Sequence, residues 1–484
     1  MKRVFSHPLI SLAAGLALRL YFLLVFPQTS GDTGLYEQFA ANWLKHGIYG
    51  MEVGGKLLPI DMRVPGYPAY LAFVYALTGR TGEAARLWVM LGQTVVDLFT
   101  CVIVAWLAAL LVASCSVSAN RNSVFRTTLW IAALCPFTAN YVAVPLTEPF
   151  AFFFTALALL LMCTLFFKLQ SLGTPAIAQG FRIPSLAILL GLIVGFGTLF
   201  RPETPLLLVI FLLVATPYLL RRREWRRAAQ IALLSTLFCL PPLVPWGIRN
   251  AITMHEFQFL APEYSNLPGE LIPYGFMKWE RTWLYRFRDV YLVPWNLNSE
   301  VIDLDQIPSY AFDNAEEKQR VAEILDAYNQ DQTLTPEEDG AMGEIGRERT
   351  ARHPLRTYLR VPFFRIFTMW FTPRIELLPF SGRVWPVRDA WNNDPVDVSF
   401  TIGFFLLHIA YVALGLWGGW RLWRRCPASK LILVTFLLYA AIRTSFLTTL
   451  ETPEPRYVLE CYPILLALIG LLFAGRIRPT DAGR

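Results

Sequence analysis

Residues 31–44 read Gly-Asp-Thr-Gly-Leu-Tyr-Glu-Gln-Phe-Ala-Ala-Asn-Trp-Leu and directly follow the first long apolar segment of the chain. The apolar side chains of Leu35, Phe39 and Trp43 recur at helical spacing, which predicts a helix lying along the membrane surface. Asp32 places a carboxylate at the start of this helix. Because Asp is a preferred helix N-cap, local sequence alone predicts a capping role, and a chemical role depends on the residues that meet Asp32.

The composition of the 484-residue chain is that of a membrane protein. Hydrophobic residues make up 55% of it and charged residues 16%, and apolar runs of about 20 residues, the length of a membrane-spanning helix, recur along it. We therefore predict an all-α polytopic membrane protein. The net charge of +7 comes from basic clusters at helix ends, which set membrane topology and do not indicate a nucleic-acid partner. The seven cysteines show no metal-ligand spacing, so neither a zinc site nor a disulfide framework is predicted.

Basic clusters also give the orientation of the helices, and residues 221–227 are the strongest cytoplasmic marker. Placing every such cluster inside requires about ten spans, with both termini cytoplasmic. The apolar run 69–79 is then interfacial or re-entrant, and segment 357–372, which carries Arg360 and Arg365, is an interfacial helix. The predicted spans are 8–27, 87–113, 127–145, 150–167, 184–200, 204–220, 228–246, 400–420, 430–448 and 458–475.

Three regions follow from this topology. Residues 1–249 form an N-terminal transmembrane core with an outer loop at 28–86. Residues 250–399 form a mixed, mainly helical extracytoplasmic region, rich in polar residues, Trp and Tyr. Residues 400–484 form the C-terminal transmembrane helices.

In this orientation the unusual polar residues meet on one face of the membrane. They stand at the outer ends of helices and comprise Asp32, Asp61, Arg63, Glu148, Arg201, Glu203, Arg249, Glu451, Glu454, Arg456 and Tyr457. Contact with water explains any one of them. Together, carboxylates and arginines at the boundary of water and lipid suit chemistry between a lipid phosphate and a polar second substrate.

Arg19 and Asp97 fall inside predicted spans instead. Arg19, in the first span, is predicted to be a structural charge that faces the bundle, with contact to a substrate phosphate as the alternative. For Asp97, two interpretations are open: a buried hydrogen bond to a neighbouring helix, or a role in the substrate cavity.

The sequence resembles the GT-C class of membrane glycosyltransferases, in particular the branch of protein O-mannosyltransferases and lipid A aminoarabinose transferases. The order and the sidedness of the matching stretches make the match specific, although each stretch is weak alone. They are Gly31-Asp32-Thr33 with its helix, Arg63 to Pro68 with residues 69–79, the Gly-rich stretch Gly191 to Pro202, Pro245 to Asn250, and Arg456-Tyr457. Residues 260–399 match no family that we can name.

This resemblance implies a GT-C-like bundle and an inverting transfer of a sugar from a polyprenyl-phosphate carrier. The acceptor is a glycan, a lipid or a protein outside the cytoplasmic (inner) membrane of a bacterium, with the active site facing the periplasm. A lipid-phosphate donor implies no obligatory metal or other cofactor.

The resemblance also implies roles for particular residues. By its position after the first helix, Asp32 is the implied general base or acceptor-orienting carboxylate. Cationic side chains must bind the leaving phosphate. Arg63 and Arg456 are the first candidates for this role, and Arg249 and Arg201 are the second. Glu148 can orient the sugar or the acceptor, with a helix cap beside Pro149 as the alternative, and Tyr457 belongs to the last matching stretch. Asp61, by its outer position, and Asp97, as an acid within a span, are possible additions to the site.

Two other functions compete with this interpretation. A transporter or flippase of a lipid-linked sugar is expected to place its charges near the bilayer midplane on broken helices, often in two related halves. A non-catalytic partner would keep the fold without the chemistry. Asp97 is the one candidate midplane acid, and no internal repeat is evident in the sequence.

Overall fold

The computed structural model describes residues 7–113, 121–171, 182–264, 267, 270–450 and 452–474, and these are mostly helical. The helices are α1 (Pro8–Val25), α2 (Gly31–His46), α3 (Gly66–Thr78), α4 (Arg86–Ala113), α5 (Arg121–Ala133), α6 (Pro136–Ala139), α7 (Glu148–Gln170), α8 (Ile183–Thr198), α9 (Pro205–Arg221), α10 (Trp225–Cys239), α11 (Val244–Thr253), α12 (Tyr274–Glu280), α13 (Phe287–Leu292), α14 (Ala315–Asp331), α15 (Pro336–Arg352), α16 (Val361–Phe371), α17 (Val387–Asn393), α18 (Pro395–Arg425), α19 (Lys430–Leu447) and α20 (Tyr462–Gly470). Two short strands, β1 (Gly50–Val53) and β2 (Lys56–Pro59), pair as an antiparallel hairpin with Gly50 opposite Pro59.

Six helical stretches in the described part of the chain are long and apolar enough to cross a membrane. They are Pro8–Val25, Gly82–Ala113, Glu148–Gln170, Pro395–Arg425, Pro427–Leu447 and Pro455–Phe473. The pair α10 and α11, bent by 46°, makes a seventh if it is one span. The chain is therefore an all-α polytopic membrane protein, as predicted. Neither α3 nor α16 is among these stretches, and their placement as interfacial or re-entrant segments stays a prediction.

The predicted count of about ten spans is not confirmed. The stretch predicted to span at 127–145 breaks after α5, where Pro136 starts α6 and a 3-10 turn follows; proline has no N–H to continue the helix. Helices α8 and α9 have 16 and 17 residues. At about 1.5 Å per residue each is about 25 Å long, less than the ~30 Å of a bilayer core.

The chain divides into two compact units. The first unit comprises Met1–Glu263, Pro373–Tyr439 and Leu459–Arg484, and the second comprises Tyr264–Thr372 and Ala440–Val458. The central part of the predicted extracytoplasmic region thus forms a unit of its own with a segment near the C-terminus. The predicted domain limits and their sidedness stay predictions.

Glycines bring helices of the first unit into backbone contact. Helix α8 packs against α10, and a Cβ atom on Gly191 would lie 2.3 Å from the carbonyl oxygen of Ser235. Helix α18 packs against α20 in the same way, since a Cβ atom on Gly418 would lie 2.0 Å from the carbonyl oxygen of Leu468. Close approach at small residues is the usual way in which membrane helices associate.

The second unit has an aromatic core and a buried charge network. Trp279 and Trp283 are almost fully buried where α12 packs against α15. Arg349, also buried, donates to the carboxylate of Glu317 and lies 3.2 Å from Asp313. A buried guanidinium needs such partners, because an unpaired charge away from water is costly.

The cysteines differ from expectation at one position. Cys101, Cys135, Cys163, Cys239 and Cys461 are free and buried. Cys426 is disulfide-bonded, and its partner lies outside the described residues. The sequence predicted no disulfide framework and gave no indication of this one bond.

Candidate functional site

Asp32 lies inside the first turn of α2 and does not cap the helix. Ser30 is the N-cap, and its backbone N–H donates to the hydroxyl of Thr33 at 3.0 Å. The Asp32 carboxylate instead accepts a hydrogen bond from Arg63, with 2.9 Å between Oδ1 and Nη2. The prediction that Asp32 caps the helix is wrong. The Thr33 hydroxyl forms the capping box with Ser30, and the Asp32 carboxylate is left to bind Arg63. The two side chains are about a quarter exposed, 25% for Asp32 and 28% for Arg63, so water reaches this ion pair.

Backbone contacts hold the Arg63 segment in place. The Tyr49 hydroxyl donates to the carbonyl oxygen of Arg63 at 2.8 Å, and Arg63 Nη1 donates to the carbonyl of Met62 at 3.0 Å. Three residues later, the N–H of Gly66 donates to the carbonyl oxygen of Leu199 at 2.7 Å. A Cβ atom on Gly66 would lie 2.4 Å from that oxygen, so only glycine allows this approach. The loop after Arg63 is therefore fixed against the end of α8.

A second charged group lies at the ends of α7 and α8. Arg201 Nη2 is 2.6 Å from Oε1 of Glu148, the first residue of α7. The Nε atom of Arg201 is 3.8 Å from Oε1 of Glu460. Both carboxylates are buried beside the same guanidinium. Sequence reasoning had not selected Glu460; the signal was an acidic residue at the start of the last predicted span, 458–475.

Tyr36 lies within the electrostatic influence of both charged groups. It follows Asp32 by one helical turn, it is buried, and Tyr67 packs against it edge-on at 5.1 Å between ring centroids. Burial raises the pKa of Tyr36 to about 12; the negative charge of Asp32 adds to this, and the positive charges of Arg63 and Arg201 oppose it. Because charge interactions weaken with distance, Tyr36 is near both the Asp32–Arg63 pair and the Arg201 group. Tyr36 thus keeps its proton at neutral pH.

Arg249 and Asp61 both lie close to Tyr49. Arg249 Nη2 donates to the Tyr49 carbonyl at 2.7 Å, and its guanidinium lies 5.0 Å from the ring centroid of Trp246. Asp61 accepts a hydrogen bond from the Gln258 side chain. Burial raises the pKa of Tyr49 well above its usual value; the charge of Asp61 adds to this, and that of Arg249 opposes it. Both predicted site residues therefore lie close to the residue that holds Arg63.

A cavity of about 400 Å³ borders Tyr49 and Arg249. It is lined by Trp43, Gly47, Ile48, Tyr49, Pro65, Gly66, Ala69, Leu199, Pro242, Pro245, Trp246, Arg249 and Thr253. Arg249 is the one charged residue of this lining. Asp32 and Arg63 do not line the cavity, but Pro65 and Gly66 do, so the Arg63 loop forms part of its wall. Apolar walls with one guanidinium suit a ligand that has an apolar body and an anionic end.

Asp97 is bound to Arg19 in the interior of the first unit. Arg19 Nε is 2.7 Å from Asp97 Oδ2, and both side chains are buried. Arg19 Nη1 also donates to the carbonyl oxygens of Gly15 and Ala133. A neighbouring void of about 10 Å³ has room for about one water molecule. The structure thus shows the hydrogen bond to a neighbouring helix that was one of the two interpretations of Asp97.

Arg456 and Tyr457 lie in the second unit, where both bind Glu454. Arg456 Nε is 2.6 Å from Oε2 of Glu454, and the Tyr457 hydroxyl donates to Oε1 at 2.6 Å. The backbone carbonyl of Tyr457 accepts a hydrogen bond from buried Arg443. Their binding of substrate stays a prediction.

Two kinds of solved membrane glycosyltransferase are similar to this chain. The oligosaccharyltransferase of Archaeoglobus fulgidus, tethered with an acceptor peptide containing the NVT sequon, is 10% identical over 96% of this chain and 49% of its own, with a TM-score of 0.49. Oligosaccharyltransferase AglB from the same organism, in complex with an inhibitory peptide and a dolichol-phosphate, is 9% identical over 96% and 50%, with a TM-score of 0.49. ArnT from Cupriavidus metallidurans, in the apo state, is 14% identical over 97% and 77%, with a TM-score of 0.40.

AglB and ArnT, the latter a lipid A aminoarabinose transferase, are both GT-C glycosyltransferases, the class that the sequence resembles. The chain spans about half the length of the oligosaccharyltransferase chains that it matches. No protein-family model and no curated protein matches it. At TM-scores below 0.5 these likenesses say nothing about what this chain binds or transfers.

The described residues offer no donor set for a resident metal ion. No group of three or more His, Cys, Asp or Glu side chains in them is placed to hold one. No mechanistic step is therefore assigned to a metal, and independence from metals stays a prediction.

Proposed function

We propose that this chain is an inverting glycosyltransferase that moves a sugar from a polyprenyl-phosphate carrier to a polar acceptor outside the cytoplasmic membrane. The observation that carries this proposal is the partly exposed Asp32–Arg63 pair, 2.9 Å apart, with Arg63 two residues before Pro65, which lines an apolar cavity together with Arg249. These groups supply a proton acceptor, two cations and space for a lipid chain. A transferase that uses a lipid-phosphate donor needs all three.

The cavity accounts for the lipid part of the donor. Its tryptophan, proline and leucine walls receive the isoprenoid, and Arg249 meets the phosphate. Contacts with Tyr49 and Asn250 fix the Arg249 guanidinium, at 2.7 Å and 2.9 Å respectively. A guanidinium held in one position binds phosphate with little loss of side-chain freedom.

Transfer is a single displacement at the anomeric carbon of the sugar. The acceptor oxygen forms a bond to this carbon as the bond to the phosphate oxygen breaks, so the configuration inverts. The acceptor proton passes to an Asp32 carboxylate oxygen, and the leaving polyprenyl phosphate keeps the electron pair of the broken bond. Arg63 and Arg249 stabilise the negative charge that develops on this phosphate.

Donor binding also prepares the base. Without a donor, Arg63 is bound to Asp32, which lowers the proton affinity of the carboxylate. An entering phosphate competes for the same guanidinium, since Arg binds carboxylate and phosphate by similar geometry. When Arg63 turns to the phosphate, the proton affinity of Asp32 rises at the moment when an acceptor proton must leave.

Glu148 and Arg201 act as positioning residues in this scheme. They are buried or nearly so beside Tyr36, which sits one turn from Asp32 on α2. Their ion pair fixes the ends of α7 and α8, and the end of α8 holds Gly66. Loss of this pair therefore shifts the Arg63 loop.

Transfer and transport are separated by an assay in proteoliposomes. Purified protein is reconstituted with a polyprenyl-phosphate mannose labelled in the sugar, and a membrane extract supplies acceptors. We expect the label to leave the lipid and enter the acceptor fraction, with polyprenyl phosphate accumulating in equal amount. Movement of intact labelled lipid across the bilayer, without loss of its sugar, would overturn the proposal in favour of a flippase. Liposomes without protein give the background.

A further inference from the structure

The second unit contains a cavity that the proposed reaction does not use. It measures about 360 Å³ and lies along α12 and α15. Its lining consists of Tyr264, Tyr274, Gly275, Met277, Lys278, Arg281, Asp339, Gly340, Gly343 and Arg347. Three of these side chains are basic and one is acidic, so the lining has a positive excess.

The acidic member of this lining is already bound to the backbone. Asp339 accepts hydrogen bonds from the N–H groups of Gly275 and Phe276, at 3.0 Å and 2.9 Å. Its carboxylate thereby lies at the start of α12. Glycines bring α12 and α15 together here, since a Cβ atom on Gly275 would lie 1.8 Å from the Asp339 carbonyl oxygen. The floor of the cavity is therefore backbone.

Cations and aromatic rings form the sides of the cavity. Lys278 and Arg281 are exposed near the end of α12. Arg347, on α15, is exposed too and lies 2.8 Å from Glu344. Tyr264 and Tyr274 meet edge to face, with ring centroids 5.2 Å apart and an interplanar angle of 85°. This arrangement fixes one tyrosine ring against the other and leaves aromatic surface for a ligand.

We propose that this cavity binds an anionic saccharide, that is, a sugar chain carrying carboxylate, sulfate or phosphate groups. Lys278, Arg281 and Arg347 pair with its charges, and the rings of Tyr264 and Tyr274 pack against the apolar C–H faces of its sugar rings. An acidic peptide offers the charges but lacks those flat faces. The use of this cavity as an acceptor site rests on the proposed function, whereas binding itself does not.

Binding to the full-length protein in lipid nanodiscs tests this inference. The probes are tetragalacturonate and a heparin-derived tetrasaccharide, with neutral maltotetraose and a tetraglutamate peptide for comparison. We expect both anionic saccharides to bind at least about tenfold more tightly than either comparison compound, with an affinity that falls as salt is added. Failure of both anionic saccharides to bind overturns the inference, and equal binding of tetraglutamate overturns the saccharide assignment.

Variants locate the binding. We expect the double variant Lys278→Gln/Arg281→Gln to weaken binding about tenfold or more, and Tyr274→Ala to weaken it as well. Lys318→Gln changes an exposed lysine of the same unit on α14, outside this lining, and should leave affinity unchanged. All these side chains are exposed, so folding is preserved, which circular dichroism checks. Undiminished binding by both cavity variants would contradict the site.

The same assay separates this inference from the transfer reaction. Asp32→Asn protein should bind the anionic saccharides as wild type does, because Asp32 lies in the first unit. A protein that binds them but transfers no sugar refutes the proposed function alone. A protein that transfers sugar but binds neither saccharide refutes this inference alone.

Discussion

Replacing Asp32 with Asn is expected to lower the rate of sugar transfer by about 10²–10⁴-fold, the usual contribution of a general base. Asparagine keeps the size of the side chain and one oxygen that can accept from Arg63, but it cannot take the acceptor proton at neutral pH. The helix start does not depend on Asp32, because Ser30 and Thr33 form the cap. The measurement is the initial rate of transfer from a labelled polyprenyl-phosphate sugar in nanodiscs.

Glu52→Gln serves as the matched control for this experiment. Glu52 is an exposed carboxylate on β1, in the same outer loop, and its loss should leave the rate unchanged. Equal helix content and thermal stability of Asp32→Asn and wild type exclude a folding effect. If Asp32→Asn transfers sugar at the wild-type rate, Asp32 serves only to hold Arg63, and the proposed proton transfer is wrong.

Replacing Arg19 with Leu should destabilise the first unit by about 3–5 kcal/mol, the usual cost of leaving one member of a buried ion pair behind. Both side chains of the Arg19–Asp97 pair are buried between helices that are long enough to span the membrane. The Ala133 carbonyl also loses the hydrogen bond from Arg19. Thermal unfolding in detergent, followed by tryptophan fluorescence, measures the effect.

The double variant Arg19→Leu/Asp97→Leu distinguishes charge from packing. With both charges removed, most of the lost stability should return, because a buried ion pair can often be replaced by apolar side chains at little cost. If the double variant is as unstable as Arg19→Leu, then the lost contacts to Gly15 and Ala133 carry the effect, and not the unpaired carboxylate. Arg121→Leu, an exposed arginine at the start of α5, is the control.

Local sequence predicted the class of fold because each apolar run indicates a helix without reference to the rest of the chain. The long runs became α1, α4, α7, α18 and α19, and the short runs became α3 and α16. The count of about ten spans is not confirmed, because the length of a helix also depends on tertiary structure. Pro136 ends one predicted span early, and α8 and α9 stop short of the bilayer thickness.

The members of the candidate site could be selected from the sequence, but their partners could not. Asp32 and Arg63 were chosen as separate residues, and only the fold shows that they bind each other across 31 positions of the chain. The capping rule gave the wrong role to Asp32, since a threonine hydroxyl next to it competes for the same function. Glu460 was missed because it is buried beside Arg201 by the packing of segments far apart in sequence.

The lining of the second unit's cavity is likewise a set of residues whose proximity could not be predicted from the sequence. Lys278 lies on α12 and Arg281 directly follows this helix, but Arg347 is far away in sequence. The close packing of α12 on α15, made possible by Gly275, brings them to one cavity. No sequence pattern predicts that juxtaposition.

Phosphorus NMR of the donor lipid is the most direct test of the central claim that this chain cleaves the sugar–phosphate bond of a polyprenyl-phosphate sugar. Wild-type protein in detergent is incubated with a synthetic donor of known anomeric configuration and a membrane extract that supplies acceptors. The account predicts that the phosphodiester signal is replaced by a phosphomonoester signal and that the transferred sugar has the opposite configuration. A phosphodiester signal that persists at the level of the protein-free control, or a product of retained configuration, would contradict the account.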